Sequence, residues 1–243
     1  MKYSSSKENY IKAIYHLQEV HGLVTTNALA NELQTRPASV TDMLKKLKTQ
    51  KLLMYEKYKG FKLSPEGKKI ALQIVRKHRL WEYFLVEKLH FGWDEVHEIA
   101  EELEHISSVV LVDRLDEFLG FPKSDPHGDP IPDGQGRVQT RVQVDLLQLP
   151  VKKPARVSSI GDQSPEMLEL LTHKHIGIGT RVEIHKKFLF DNSIELKVDL
   201  DPGDLKLLQE AAGGKSGKKQ VNHKPLVTIS EHVAKNVFVT YEE

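Results

Sequence analysis

The 243-residue chain contains no cysteine. Disulfides, iron–sulfur clusters and thiolate chemistry are therefore excluded, and His, Asp, Glu and amide oxygens are the only strong metal ligands left. Long apolar runs are missing as well, since no stretch approaches the roughly 20 residues that a membrane-spanning helix needs. The opening Met1-Lys2-Tyr3-Ser4-Ser5-Ser6-Lys7-Glu8 places no apolar stretch behind its lysine and does not read as a secretory signal. These two absences predict a protein with no membrane partner that stays in the cytoplasm. A large excess of charge of one sign is also lacking, the formal net charge being +1. Its distribution is uneven, however. Residues 1–70 carry 13 Lys+Arg against 6 Asp+Glu, residues 71–150 carry 8 against 15, and the remainder carries 14 against 13. A basic first segment beside an acidic second one predicts a polyanion-binding module joined to a carboxylate-rich module that attracts cations. With 39% hydrophobic and 28% charged residues, and a length too great for one small core, the chain should fold into two or three globular domains.

The periodicity divides the chain in three. Tyr10, Ile11, Ile14, Tyr15 and Leu17 recur at helical spacing and predict an amphipathic helix over 6–20 behind a serine cap. A short helix over 26–33 follows, capped by Thr25 or Thr26. Pro37 then opens a third helix over 38–50 with Val40, Leu44 and Leu47 facing inward. Residues 52–58 and 61–63 flank Lys59-Gly60 as a β-hairpin. Helix, turn, helix and a basic hairpin describe a winged helix-turn-helix domain over 1–70. Ser64-Pro65-Glu66-Gly67 caps a long helix reaching about Leu89, with Ile70, Ile74, Leu80 and Phe84 inward. Helices over 95–106 and 108–119 follow, the last stopped by Gly120 and Pro122. Three apolar helices without an intervening strand predict a dimerisation bundle, so 71–136 is read as a helical dimerisation and metal-binding domain ending in the Pro/Gly/Asp-rich linker 122–136. In 137–243 the period changes to short β-type runs at 157–160, 181–184, 194–198, 226–229 and 237–239, with a helix near 165–172. Five short strands point to a small SH3-like β-barrel. The fold class is thus mainly α with a C-terminal β-barrel. The Gly-rich stretch 213–219 contains Gly214-Lys215-Ser216, but it lacks the other P-loop glycine and any βα context, so it is read as a loop and not a nucleotide site.

Two groups of residues carry chemistry. On the helix over 95–106, His97, Glu101, Glu104 and His105 fall within an arc of roughly 100°, opposite Val96, Ile99, Ala100, Leu103 and Ile106. The ligand face is therefore expected to border the core without belonging to it. His78 and Glu82, one turn apart on the long helix, can face that group across a helix–helix contact, which is how bundles build divalent-metal sites. The alternative is a solvated polar face with incidental histidines. His97-Glu98-Ile99-Ala100-Glu101 matches the first half of a zincin motif but has Glu where its second His belongs, which argues against a metalloprotease. In the recognition helix, Ser39, Thr41, Asp42 and Lys45 are the positions that reach base edges, and Arg36 suits a phosphate or a guanine. Tyr55, Lys57, Lys59 and Lys62 decorate the wing, with Lys59 assigned to the DNA backbone. The alternative is a winged helix that binds only protein.

At this point the residues resemble a known family. Glu8-Asn9-Tyr10-Ile11-Lys12-Ala13-Ile14-Tyr15, the helix-turn-helix, Arg76-Lys77-His78-Arg79-Leu80, and Val96-His97 through Glu104-His105 together look like the diphtheria toxin repressor family of metal-dependent regulators, and Asp129-Pro130-Ile131-Pro132 resembles its linker. The resemblance spans the whole chain and implies a homodimer that represses transcription by binding double-stranded DNA at a palindromic operator when Mn(II) or Fe(II) is bound. Other divalent transition ions are expected to substitute in vitro. It implies one metal site from Asn9, Glu101, Glu104 and His105, and another from His78, Glu82 and His97 completed by Gln163 and Glu166 of the barrel. Iron-responsive members carry Met and Cys where this chain has Asn9 and Glu101, and manganese-responsive members carry Asp and Glu. Glu101 therefore points to harder ligands and manganese. Asn9 and Lys12 depart from the manganese pattern, which has Asp and Glu there, and the barrel pair is reversed, Gln before Glu. The rival readings are a metal-independent winged-helix regulator with a structural His/Glu cluster and a metalloenzyme. The second lacks a nucleophile or base outside the ligand set, and no residue is assigned as catalytic.

Overall fold

A computed structural model describes residues 3–56, 59–199 and 225–242. The wing residues Lys57 and Tyr58 and the Gly-rich stretch 213–219 lie outside them. Two units account for the chain. The first is Met1–Phe91, Val96–Asp125 and Pro130–Gln139, and the second is Gly92–Glu95, Pro126–Asp129 and Thr140–Glu243. The winged helix and the helical region expected as separate domains thus share one unit.

In the first unit, α1 (Ser5–His21) buries Tyr10, Ile11, Ile14 and Tyr15 of the expected stripe together with Ala13, while Leu17 is partly buried. The Thr25 hydroxyl accepts the Ala28 amide and starts α2 (Thr26–Glu32). Pro37 at the first helical position starts α3 (Pro37–Thr49), which buries Val40, Leu44 and Leu47. Strands β1 (Leu53–Glu56) and β2 (Gly60–Leu63) pair antiparallel, with Leu53 opposite Leu63 and Tyr55 opposite Phe61. Val24 pairs with Phe61 through two backbone hydrogen bonds of 2.8 and 2.9 Å, which seats the wing on the helices. Gly60 is required there. Its φ is +137°, and a Cβ would stand 2.5 Å from the Val24 carbonyl oxygen.

Ser64 accepts the Gly67 amide and opens α4 (Pro65–Leu89), a 25-residue helix with three consecutive neighbours. Its first turns bury Ala71, Leu72, Ile74 and Val75 in the winged-helix core. Leu80 packs against Val112, Leu115 and Leu119 of α6 (Val109–Phe118) and the residue after it, and Leu85 packs against Val96 and Ala100 of α5 (Val96–Leu103). The guanidinium of Arg76 ties α4 to α6 through Asp113 at 3.1 Å and Asp116 at 2.7 Å. Helix α5 is shorter than the expected 95–106. It stops at Leu103, so Glu104 and His105 sit on the turn beyond it, although the Glu104 amide still bonds the Ala100 carbonyl at 2.8 Å. The linker is ordered by a Ser124–Pro130 bridge and by Asp133, whose carboxylate accepts backbone amides of Gln135 and Arg137.

The second unit contains β3 (Val144–Asp145), β4 (Pro154–Ile160), α7 (Pro165–His173), β5 (Arg181–Lys187), β6 (Ile194–Val198), β7 (Leu226–Ile229), α8 (Glu231–Asn236) and β8 (Val237–Tyr241). The strands form one six-stranded antiparallel sheet in the order β3-β8-β4-β5-β6-β7. All five expected strands are present; β3 and α8, too short to stand out by pattern, were not anticipated. Register shifts at Val157/Ser159 and Ile184/Lys186 bend the sheet around a core of Val157, Ile160, Leu168, Leu171, Val182, Ile184 and Leu196. Among the described residues no pairing joins β3 to β7, so the SH3-like domain is an open sheet.

Candidate metal centre and nucleic-acid interface

Helices α4 and α5 pack through Leu85, Val96 and Ala100, and this contact decides which polar side chains meet. The ligand atoms of His78, Glu82 and His97 all lie within 4.8 Å of one another. Glu82 Oε1 is 3.0 Å from His78 Nε2 and 3.4 Å from His97 Nδ1. Two ligands held about 2.1 Å from one ion at tetrahedral or octahedral angles stand roughly 3.0–3.4 Å apart, so these separations match a shared divalent cation. The donors are also of the right kind: two imidazoles and one carboxylate suit a divalent transition ion. His78 and Glu82 are buried, whereas His97 is half exposed and leaves the set open on one side.

His78 turns its other nitrogen, Nδ1, to Glu104 Oε2 at 2.7 Å. An imidazole that presents one nitrogen to a cation and fixes the other on a carboxylate is oriented as metal-binding histidines usually are. Burial opposes a charge on His78, but the hydrogen bonds to Glu104 and Glu82 outweigh it and lift the imidazole to about 9. In the metal-free protein it is therefore a cation. Burial pushes the Glu104 carboxyl up, while His78 and Lys12 together hold it below the ordinary carboxylate range.

The second expected set does not present four open ligands. Glu104 is fully buried, and its Oε2 also accepts Lys12 Nζ at 2.7 Å. The same ammonium reaches Glu101 Oε1 at 3.1 Å. His105 Nδ1 is bonded to Glu8 Oε2 at 2.8 Å, with Lys77 Nζ 3.7 Å from that oxygen. Glu104 Oε1 and Asn9 Oδ1 are buried without a hydrogen-bond partner. The expectation that the ligand face would border the core needs correction. Because α5 ends at Leu103, the turn carries Glu104 into the interior while His97 and Glu101 stay exposed. Lys12 stands where the resemblance places a carboxylate of the metal sites, but its pairing with Glu101 and Glu104 was not expected, nor was the contact of Glu8 with His105. The i, i+4 spacing of Glu8 and Lys12 about Asn9 was the available signal. Gln163 and Glu166 belong to the second unit. Gln163 donates to Asp129 Oδ2 and the Ile160 carbonyl, both at 3.2 Å, and Glu166 is exposed in the first turn of α7.

On the winged helix, Arg36, Ser39, Thr41, Asp42, Lys45 and Lys59 are all exposed. Three of them have local ties: the Thr41 hydroxyl donates to the Pro37 carbonyl at 2.9 Å, and Lys45 pairs with Asp42 at 3.2 Å. Lys62 of the wing pairs with Glu56 at 3.0 Å and is less free for a phosphate than Lys59.

Sequence comparison supplies the decisive observation. The model for the iron dependent repressor N-terminal DNA binding domain matches residues 2–61, and that for the iron dependent repressor metal binding and dimerisation domain matches residues 64–133. The chain belongs to the iron-dependent repressor family. As a member it is a metal-dependent, DNA-binding transcriptional repressor with a dimerisation region. Among similar family proteins, the HTH-type transcriptional regulator MntR of Oceanobacillus iheyensis is 38% identical over 120 residues, 49% of this chain and 81% of that one. MntR of Bacillus subtilis is 35% identical over 120 residues and is covered to 84%. These matches span only about half of the present chain. Over its whole length it resembles a manganese-dependent transcriptional repressor solved in complex with manganese, with 30% identity, a TM-score of 0.80, and coverage of 97% of this chain and 100% of that one. The repressor ScaR solved with bound Cd2+ is also similar, at 28% identity and a TM-score of 0.74. Among the described residues, no helix is long and apolar enough to cross a membrane.

Proposed function

We propose that the protein is a manganese-activated repressor, with iron(II) as the competing effector, in which His78, Glu82 and His97 hold the activating ion. The observation that carries this reading is the convergence of these three ligand atoms from two helices within 4.8 Å. A bound divalent ion supplies the positive charge that offsets the Glu82 carboxylate and joins α4 to α5. The chain's own residues relay that constraint. Glu104 holds His78 on one side and Lys12 on the other, so the position of α5 is tied to α1, the helix on which the DNA-binding core is packed. The manganese-dependent proteins among the similar structures favour manganese as that ion.

Recognition follows from the exposed positions of α3. Ser39, Thr41, Asp42 and Lys45 face outward for base edges, while Arg36 and Lys59 neutralise phosphates. The protein acts as a homodimer on a palindromic operator in the cytoplasm. The exposed apolar residues Val109, Val110 and Phe118 of α6, together with Phe121, suit burial against a second copy. The test is an operator-binding titration with Mn(II) and Fe(II) under anaerobic conditions. Affinity should rise with ion, and first with Mn(II); equal affinity with and without either ion sinks the reading.

A further inference from the structure

The Lys12 side chain is only 11% exposed, yet its ammonium makes close contact with two carboxylates, Glu101 at 3.1 Å and Glu104 at 2.7 Å. We propose that this ammonium is a tethered cation standing in place of a second divalent ion in the Asn9, Glu101, Glu104 and His105 cluster, so that each chain holds a single activating ion on His78, Glu82 and His97. The inference rests on the metal-binding reading above and adds a stoichiometry to it.

Three features of the cluster support it. First, the Glu104 oxygen that a second ion would use already has two close partners, Lys12 Nζ and His78 Nδ1, each at 2.7 Å. An ion bound to that oxygen at about 2.1 Å would lie against the ammonium, and two cations in contact at a site sheltered from water repel strongly. Second, the carboxylate charge is already balanced by groups of the protein itself. The Lys12 ammonium answers both Glu104 and Glu101, and the Lys77 ammonium answers Glu8. Third, the oxygens left over are real but insufficient. Glu104 Oε1 and Asn9 Oδ1 are buried without partners, and Asn9 brings no charge. A divalent ion there would meet one carboxylate oxygen and one amide while facing a lysine. With Lys12 replaced, Glu101 and Glu104 lose the cation that they now share.

The experiment uses the full-length, metal-stripped protein and Mn(II) alone as probe. Bound metal per chain is measured by equilibrium dialysis with elemental analysis, and circular dichroism confirms that each variant is folded. Wild type should bind one ion per chain, and His97→Ala should bind it roughly tenfold or more weakly. Lys12→Met, which keeps the apolar stem and removes the charge, should bind two. Lys12→Glu, which adds an anionic oxygen, should also bind two, the second more tightly than in Lys12→Met. Two ions per wild-type chain, or no gain in either Lys12 variant, would overturn the proposal. No uptake by wild type would instead sink the His78, Glu82 and His97 reading. The Lys12 inference is then judged on the variants, upheld if Lys12→Glu gains an ion and overturned if it gains none.

Discussion

Glu104→Ala is the substitution whose cost follows most directly from the structure. The Glu104 side chain is 1% exposed and is the shared acceptor of Lys12 Nζ and His78 Nδ1, both at 2.7 Å. Charge-assisted hydrogen bonds of this kind contribute about 1.5–3 kcal/mol each. Removing one partner of a buried ion pair costs about 3–5 kcal/mol, because the remaining charge is left without compensation. Glu101 still pairs with Lys12 at 3.1 Å, which takes part of the loss, so the lower end, about 3 kcal/mol, is expected. For a chain of this size that corresponds to a fall of roughly 6–12 °C in the thermal midpoint of the metal-free protein. The assay is denaturant and thermal unfolding in the presence of a chelator. Glu104→Ala combined with Lys12→Met should cost less than the sum of the two, by about 1–2 kcal/mol, since the uncompensated ammonium is gone. With metal, the variant should remain folded and lose ion-stimulated operator binding, because His78 is no longer oriented. A stability change under about 1 kcal/mol, or strict additivity in the double variant, would refute the idea that Glu104 links α1 to the metal centre.

His97→Ala should leave stability within about 0.5 kcal/mol of wild type, because the side chain is half exposed, while weakening Mn(II) binding roughly tenfold or more by titration. His78 is raised from its ordinary 6.5 to about 9, so its charged-form contacts stabilise the metal-free protein fully below pH 6.5 and are lost as pH rises through 9. Unfolding free energy measured with chelator should fall across that window, and the fall should flatten in Glu104→Ala. Lys59→Ala should weaken binding to all DNA about equally and lower the salt slope by roughly one, whereas Ser39→Ala should change sequence preference; the reverse pattern in competition assays would exchange these roles. Val110→Asp should shift the protein from dimer to monomer in sedimentation, Val110 being 71% exposed on α6.

Much of the architecture is written in local pattern. Thr25, Pro37 and Ser64 start their helices because a capping oxygen or a fixed φ acts within one turn. The 3.6-residue stripe of Tyr10, Ile11 and Ile14 predicts a buried face whatever lies opposite it. Five of the six strands of the second unit were legible from β-type runs between turn residues. The pairing of His78 with Glu82 was legible too, being one helical turn. What local pattern could not decide is how far α5 runs, and that one feature reorganises the site. Ending at Leu103, it lets a turn bury Glu104 while His97 and Glu101 remain at the surface. Nor does any spacing rule bring Lys12 to Glu104, 92 residues away, because that contact depends on α1 packing against α4 and on the turn after α5. Residue types and helical spacing thus determined which side chains could bind a cation. Only the packing of α1, α4 and α5 decided which of them share one, because a charged group's partner is set by distance in space, and the low-dielectric interior makes an unpartnered choice costly.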